Sequence, residues 1–72
     1  MKLMKIKVST HAQIRLLERN IDIEKVKRVI SSPDTSSNEF GGRIRVSKLL
    51  DDRNITVIYT KDKNVFVIIT AI

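Results

Sequence analysis

The N-terminal part of the chain changes from a strand-like to a helix-like pattern of apolar and polar residues. Residues 2–8, Lys-Leu-Met-Lys-Ile-Lys-Val, alternate imperfectly between charged and apolar side chains, which predicts a strand with one solvated face. Ser9 or Thr10 then supplies an N-cap oxygen. The segment from His11 to about Asn20 contains neither Gly nor Pro and is rich in Leu, Arg and Gln, so it predicts a first helix.

A second helix is predicted almost directly after the first. Asn20 tolerates the left-handed conformation that often ends a helix, and Asp22 is a suitable N-cap for the next one. Apolar side chains then recur at offsets 0, 3, 6 and 7, as one face of a helix requires: Ile23, Val26, Val29 and Ile30. Because proline disfavours helix in the residue before it, we expect this helix to end at Ser31-Ser32-Pro33.

The rest of the chain predicts a loop followed by a three-stranded meander. Residues 31–42 are rich in Ser, Asp, Asn and Gly, a composition typical of a loop, with Phe40 as a candidate anchor. Three β-rich segments follow, separated by turn-forming residues at hairpin length: Arg43–Leu50, Ile55–Thr60 and Val65–Ile72. The last is apolar at nearly every position, so we expect a central strand with helices on one face and a partner chain or second copy on the other.

The order β-α-α-β-β-β indicates an α+β fold in which two N-terminal helices pack on a largely antiparallel sheet. The 72 residues suffice for a single domain, 1–72, which excludes a multidomain organisation. Hydrophobic residues make up 42% of the chain and charged residues 31%, a balance that permits a packed core and argues against intrinsic disorder.

Net charge and cysteine content limit the partners and the chemistry that the chain can have. Fourteen Lys and Arg against eight Asp and Glu give a net charge of +6, which favours nucleic acid, an acidic protein or anionic lipid as a partner. The chain has no cysteine, which excludes disulfides, thiolate metal sites and a cysteine nucleophile. No apolar run resembles a signal sequence or a membrane span, so we expect a cytoplasmic protein without membrane contact.

The first predicted helix carries a cationic stripe. At about 100° per residue, His11, Arg15 and Arg19 fall within one arc together with Glu18, while Ala12, Ile14, Leu16 and Leu17 provide an apolar side to bury. Guanidinium groups offer paired donors that match phosphate oxygens, and histidine is the side chain most used for proton transfer near neutral pH. A charged stripe is also the ordinary solvated face of an amphipathic helix, and the residue pattern alone favours that interpretation.

The predicted strands add further candidates. Arg43, Arg45 and Ser47 share one face of their strand and extend the basic surface, unless this is simply an exposed sheet face. Hydroxyls of Tyr59 and Thr70 lie late in their strands, where such residues are also common β-formers. Three aromatic residues are too few for a base-stacking sheet, so phosphate contacts should dominate RNA binding. One His without Cys makes a metal site improbable, and no cofactor is expected.

The run Ser9-Thr-His-Ala-Gln-Ile-Arg-Leu-Leu-Glu-Arg-Asn-Ile21, with the final Val-Ile-Ile-Thr70, resembles the domain-of-unknown-function 4258 family, over essentially the whole chain. Asn20 stands where that pattern usually has glycine. The family is grouped with RelE-like and barnase–EndoU–colicin-like ribonuclease toxins. The resemblance therefore implies a RelE-like fold, RNA as substrate, and functional roles for His11, Arg15, Arg19 and Thr70.

These observations lead to two hypotheses and a third, simpler one. The first is a toxin-like, metal-independent endoribonuclease of toxin–antitoxin type, with His11, Arg15, Arg19 and Thr70 as catalytic residues. In it, Arg15, Arg19, Arg43 and Arg45 bind RNA, and an acidic antitoxin or a second copy is a possible partner. The alternative is a non-catalytic basic module that binds nucleic acid or an acidic protein. The third is a small interaction domain with no nucleic-acid role.

Overall fold

A computed structural model describes residues 5–72 of the chain. Its elements, in chain order, are β1 (Lys5–Val8), α1 (Thr10–Glu18), α2 (Ile23–Ser31), β2 (Thr35–Glu39), β3 (Arg43–Leu50), β4 (Arg53–Asp62) and β5 (Val65–Ala71). The first three residues of the predicted N-terminal strand, 2–4, lie outside the described part of the chain. The order is therefore β-α-α-β-β-β-β, with one strand more than the sequence predicts.

The strands form one sheet in the order β1-β5-β4-β3-β2. Strand β1 pairs in parallel with β5, and the other three pairs are antiparallel. Helix α1 lies against β5, and α2 lies against β3 and β4. The predicted α+β class, with two helices on a largely antiparallel sheet, is confirmed.

The core lies between the helices and one face of the sheet. Its fully buried larger side chains come from α2, β3, β4 and β5: Val26, Val29, Val46, Ile55, Val57 and Ile68. The predicted apolar stripe of α2 is confirmed at three of its positions, whereas Ile23 remains 39% exposed. Neither helix covers the other face of the sheet.

Both predicted helix starts are confirmed in atomic detail. The Ser9 hydroxyl accepts a hydrogen bond from the Ala12 N–H at 3.1 Å, and the Asp22 carboxylate accepts one from the Lys25 N–H at 2.9 Å. Each oxygen satisfies a backbone donor that has no partner within the helix. Asn20 has φ of 56°, the left-handed conformation that connects α1 to the next N-cap.

Helix α1 buries less than its sequence predicts. Ala12 and Leu16 are buried against the sheet, but Ile14 is 53% and Leu17 84% exposed. The helix has only nine residues and lies chiefly on one strand, β5, so the contact covers a narrow arc of its surface. Ile14 and Leu17 fall outside that arc, and the expectation that they are buried is wrong.

The expectation that residues 31–42 form only a loop is also wrong. Strand β2 occupies residues 35–39 of this segment and pairs with β3, although all five of its side chains are exposed. Its start is fixed by Asp34, whose N–H donates to the Ser47 carbonyl and whose carboxylate accepts from the Leu49 N–H, each at 2.8 Å. The strand therefore forms through backbone pairing at a sheet edge and buries no apolar side chain, so its sequence lacks the usual signal.

The predicted meander is confirmed: β3 has the predicted bounds, β5 ends one residue earlier, and β4 is longer than predicted. Strand β4 extends to Arg53–Asp62 because polar residues at both ends continue the pairing with β3 and β5. Two residues, Asp51 and Asp52, connect β3 to β4 and both have positive φ, as a tight hairpin turn requires. Strand β5 is an interior strand between β1 and β4, while the middle strand of the sheet is β4.

Candidate nucleic-acid interface

The sheet face that the helices leave uncovered carries three of the predicted site residues, Arg43, Arg45 and Thr70, and two of them lie in one row across the strands. Arg45 of β3 is paired with Ile58 of β4, and Ile58 is paired with Thr70 of β5. Paired residues on neighbouring strands point to the same face, so these three side chains form one row. The buried side chains of Val57 and Tyr59 belong to the helix-covered core, which places the row on the opposite face. At about 4.8 Å per strand, the backbones of Arg45 and Thr70 lie about 10 Å apart.

Cations lie along both sides of this uncovered face. Arg43 and Arg45 are two positions apart on β3, so both point to it, and both are exposed. On the other side, the exposed Lys5 and Lys7 of β1 stand in register with the half-buried valines of β5. The same pairing places two acidic side chains on this face, Glu39 in register with Arg43 and Asp62 in register with Val65. Four cations therefore stand against two acids around a middle of Val, Ile and Thr side chains, so the face carries a net positive charge. Such a distribution attracts an anionic chain such as an RNA backbone.

The start of α1 meets this face at one corner. The Ser9 N–H donates to the Ile68 carbonyl at 3.2 Å, and the Ser9 hydroxyl donates to the Ile69 carbonyl at 3.3 Å. Ile69 is the extra residue of β5 where the β4–β5 register shifts, so a β-bulge supplies this acceptor. His11 is two residues from Ser9, and Thr70 directly follows Ile69. The corner formed by Ser9 and β5 therefore brings the backbone segments that carry His11 and Thr70 together.

The cationic stripe of α1 is shorter than the sequence predicts. His11 and Arg15 lie one turn apart and are both exposed, whereas the helix ends at Glu18 and Arg19 takes the C-cap position. Arg15 forms an ion pair with Glu18 at 3.5 Å, with 44% and 59% of their side chains exposed. The Arg19 carbonyl accepts a hydrogen bond from the Arg53 guanidinium. Glu18 therefore partly offsets the charge of Arg15, and the backbone of Arg19 is held at the helix end.

The other hydroxyl candidates divide between the two faces. Tyr59 is 8% exposed and packs edge-on against Phe66, with ring centroids 5.4 Å apart, on the face that holds the core. Burial raises the pKa of its phenol, and the side chain lies on the face opposite Thr70. Ser47 and Thr56 share a hydrogen bond of 2.8 Å between their hydroxyls and lie on the uncovered face. The hydroxyls of Thr70 and Ser47 therefore lie on the uncovered face, whereas that of Tyr59 lies on the opposite one.

Sequence reasoning missed part of this surface. The alternation of residues 2–8 assigns Lys5 and Lys7 to the solvated side of a strand, but it does not reveal that β1 lies beside β5. Phe40, a candidate anchor, is 99% exposed at the tip of the β2–β3 hairpin. Within residues 5–72, no group of three His, Asp or Glu side chains is arranged to hold a metal ion. No helix in that range is long and apolar enough to cross a membrane.

The fold and this surface define a small two-layer α+β domain with one basic, uncovered sheet face. The chain belongs to the DUF4258 family, a domain of unknown function, whose family model matches residues 8–72. The matched range includes His11, Thr70 and every cation of the surface except Lys5 and Lys7. No curated protein and no solved structure matches the chain.

Proposed function

We propose that this protein is a toxin-like, metal-independent endoribonuclease that acts in the cytoplasm. The observation that supports this most directly is the hydrogen-bonded corner at Ser9, which brings the segments of His11 and Thr70 together. The same corner adjoins the sheet face that carries Arg43 and Arg45. Two helices on a largely antiparallel sheet are also compatible with the RelE-like fold that the sequence resemblance implies.

In the proposed reaction, the RNA 2′-oxygen forms a bond to the adjacent phosphorus while the bond to the 5′-oxygen breaks. His11 accepts the 2′-hydroxyl proton, and the leaving 5′-oxygen takes a proton from solvent, so the products are a 2′,3′-cyclic phosphate and a 5′-hydroxyl. Arg15, one helical turn from His11, stabilises negative charge on the phosphate oxygens, and Thr70 donates a hydrogen bond to them. The reaction needs positioned donors and one proton acceptor, and in this proposal Arg15, Thr70 and His11 take these roles.

The remaining arginines hold neighbouring phosphates in this proposal. Arg19 is eight residues from His11, about 12 Å along the helix axis, and in this proposal it binds a neighbouring phosphate. Arg43 and Arg45 are two strands away from Thr70 and bind the RNA backbone where it crosses the sheet. An acidic antitoxin segment would compete with RNA for these cations, and a second copy of the chain is another candidate for the uncovered face.

The test uses end-labelled single-stranded RNA in EDTA, with variants first checked for folding by circular dichroism. We expect cleavage by the wild type, and losses of about 10²-fold or more in His11→Ala and Arg15→Gln. Arg28→Gln is the matched control, since Arg28 is an exposed arginine on α2. Cleavage that EDTA abolishes, or that persists in folded His11→Ala, contradicts the proposal.

A second candidate is a non-catalytic basic module that binds nucleic acid. It is favoured by one observation: Arg15, the cation assigned to the reacting phosphate, is already paired with Glu18. This candidate predicts salt-sensitive RNA binding without cleavage products at any protein concentration. The logarithm of affinity should then fall with the logarithm of salt concentration at about 0.7 per neutralised phosphate.

A further inference from the structure

Phe40 stands alone at the tip of the β2–β3 hairpin. Its side chain is 99% exposed, the largest exposure among the large hydrophobic residues of the described chain. It belongs to a three-residue connection between strands, Phe40-Gly41-Gly42, that is closed by the pair Glu39 and Arg43. Because the ring packs against nothing in the described chain, its whole surface is available to a ligand.

The hairpin holds Phe40 in a defined place. Gly41 and Gly42 have φ of 81° and 76°, values that glycine adopts readily and other residues rarely. The β2–β3 pairing continues from the tip through the whole of β2, so the connection is anchored by a ladder of backbone hydrogen bonds. Phe40 and Arg43 line a shallow hollow at this tip together with Glu39 and Gly41.

The surroundings of Phe40 favour one class of ligand. All five residues of β2 are exposed and none is hydrophobic, so the ring is not part of a larger apolar patch of the kind that protein partners and membranes bind. A nucleobase needs only one aromatic face to stack on. Arg43, three residues away, and Arg45, next along the same face of β3, supply the positive charge that a phosphate requires.

We propose that Phe40 stacks on a base of single-stranded RNA whose adjacent phosphate is bound by Arg43. This inference rests on the proposed function and deepens it by assigning an RNA subsite. Phe40 lies about 10 Å along the strands and about 10 Å across them from Thr70, a separation of roughly 15 Å, so the stacked base is not the one next to the cleaved phosphate. The subsite positions the RNA on the sheet and takes no part in the chemistry.

A tryptophan reporter tests the stacking directly. The chain contains no tryptophan, so Phe40→Trp introduces a single fluorophore at the hairpin tip. We expect a single-stranded RNA oligonucleotide to quench its fluorescence, and an abasic oligonucleotide of the same length to quench it much less. Leu17→Trp, on the 84% exposed Leu17 of α1, is the matched reporter and should respond to neither. Equal responses of Phe40→Trp to the two oligonucleotides would overturn the inference.

Affinity measurements distinguish the contribution of base stacking to RNA binding from the contribution of charge. By fluorescence anisotropy of labelled RNA, we expect Phe40→Ala to bind at least about 5-fold more weakly, and Phe40→Tyr to bind within about 2-fold of the wild type. Phe40→Ala should keep the wild-type salt dependence, whereas Arg43→Gln should reduce the slope by about 0.7. If folded Phe40→Ala binds RNA with wild-type affinity, the stacking subsite is rejected, but the proposed function is not. If the wild type does not bind RNA, both the stacking subsite and the proposed function are rejected.

Discussion

Ser9 couples the helix start to the proposed site, and its hydroxyl is the most informative group to remove. In Ser9→Ala, the Ala12 N–H loses its acceptor and the Ile69 carbonyl loses its donor. Loss of an N-cap costs about 1 kcal/mol, and the second hydrogen bond, at 3.3 Å, contributes about 0.5 kcal/mol more. At about 4–8 °C per kcal/mol for a domain of this size, the midpoint of thermal unfolding should fall by roughly 6–12 °C.

The matched control is Asp22→Ala, which removes the N-cap of the other helix. The Asp22 carboxylate accepts from the Lys25 N–H at 2.9 Å, so its loss should lower the midpoint by about 4–8 °C. At a temperature where both variants are folded, only Ser9→Ala should lose RNA cleavage, by about 10-fold or more, because of the two capping side chains it is Ser9 that also bonds to β5. Ser9→Thr keeps a hydroxyl and should restore both stability and activity.

Two results would refute this reasoning. If Ser9→Ala unfolds at the wild-type temperature, the hydroxyl does not stabilise the junction between α1 and β5. If folded Ser9→Ala and Asp22→Ala have the same activity, the position of His11 relative to Thr70 does not depend on this junction. Unfolding followed by circular dichroism and cleavage of end-labelled RNA in EDTA measure the two quantities independently.

Three further predictions concern the fold. Ile68→Val should lower the free energy of unfolding by about 1 kcal/mol in urea titrations, because Ile68 is fully buried; an unchanged midpoint contradicts this. Asn20 has φ of 56°, a conformation that glycine adopts more readily than alanine. Asn20→Ala should therefore lower the free energy of unfolding by about 1 kcal/mol, and Asn20→Gly should raise the melting temperature. Equal melting temperatures of the two variants would falsify the conformational argument. The hydrogen bond from the Leu49 N–H, together with the charge of Lys48, lowers the pKa of Asp34 below its ordinary value of 3.8. The ionised Asp34 therefore stabilises the folded state above pH 3.8, and this stabilisation is lost as the pH falls further below that value. Urea midpoints from pH 6 to pH 2 should show this loss in the wild type and not in Asp34→Asn.

Sequence patterns predicted the elements that bury apolar side chains or carry strong caps. Both helix starts and the stripe of α2 follow from local chemistry that acts within a few residues. Strand β2 was missed because its five residues are polar and exposed, and it exists only because β3 offers it a partner. Ile14 and Leu17 were assigned to the buried side because periodicity gives the apolar arc of a helix without the width of the surface that covers it.

Some features of the candidate site likewise follow from the sequence, and others depend on the tertiary structure. The sequence by itself determined the residue types, the net charge of +6, and the placement of His11 and Arg15 on one side of a helix. Only the tertiary structure decided that Arg45 and Thr70 share a row and that Thr70 lies beside the start of α1. Side-chain direction follows from local periodicity, whereas neighbours across a sheet depend on strand order and register, which are fixed by packing and pairing between distant segments.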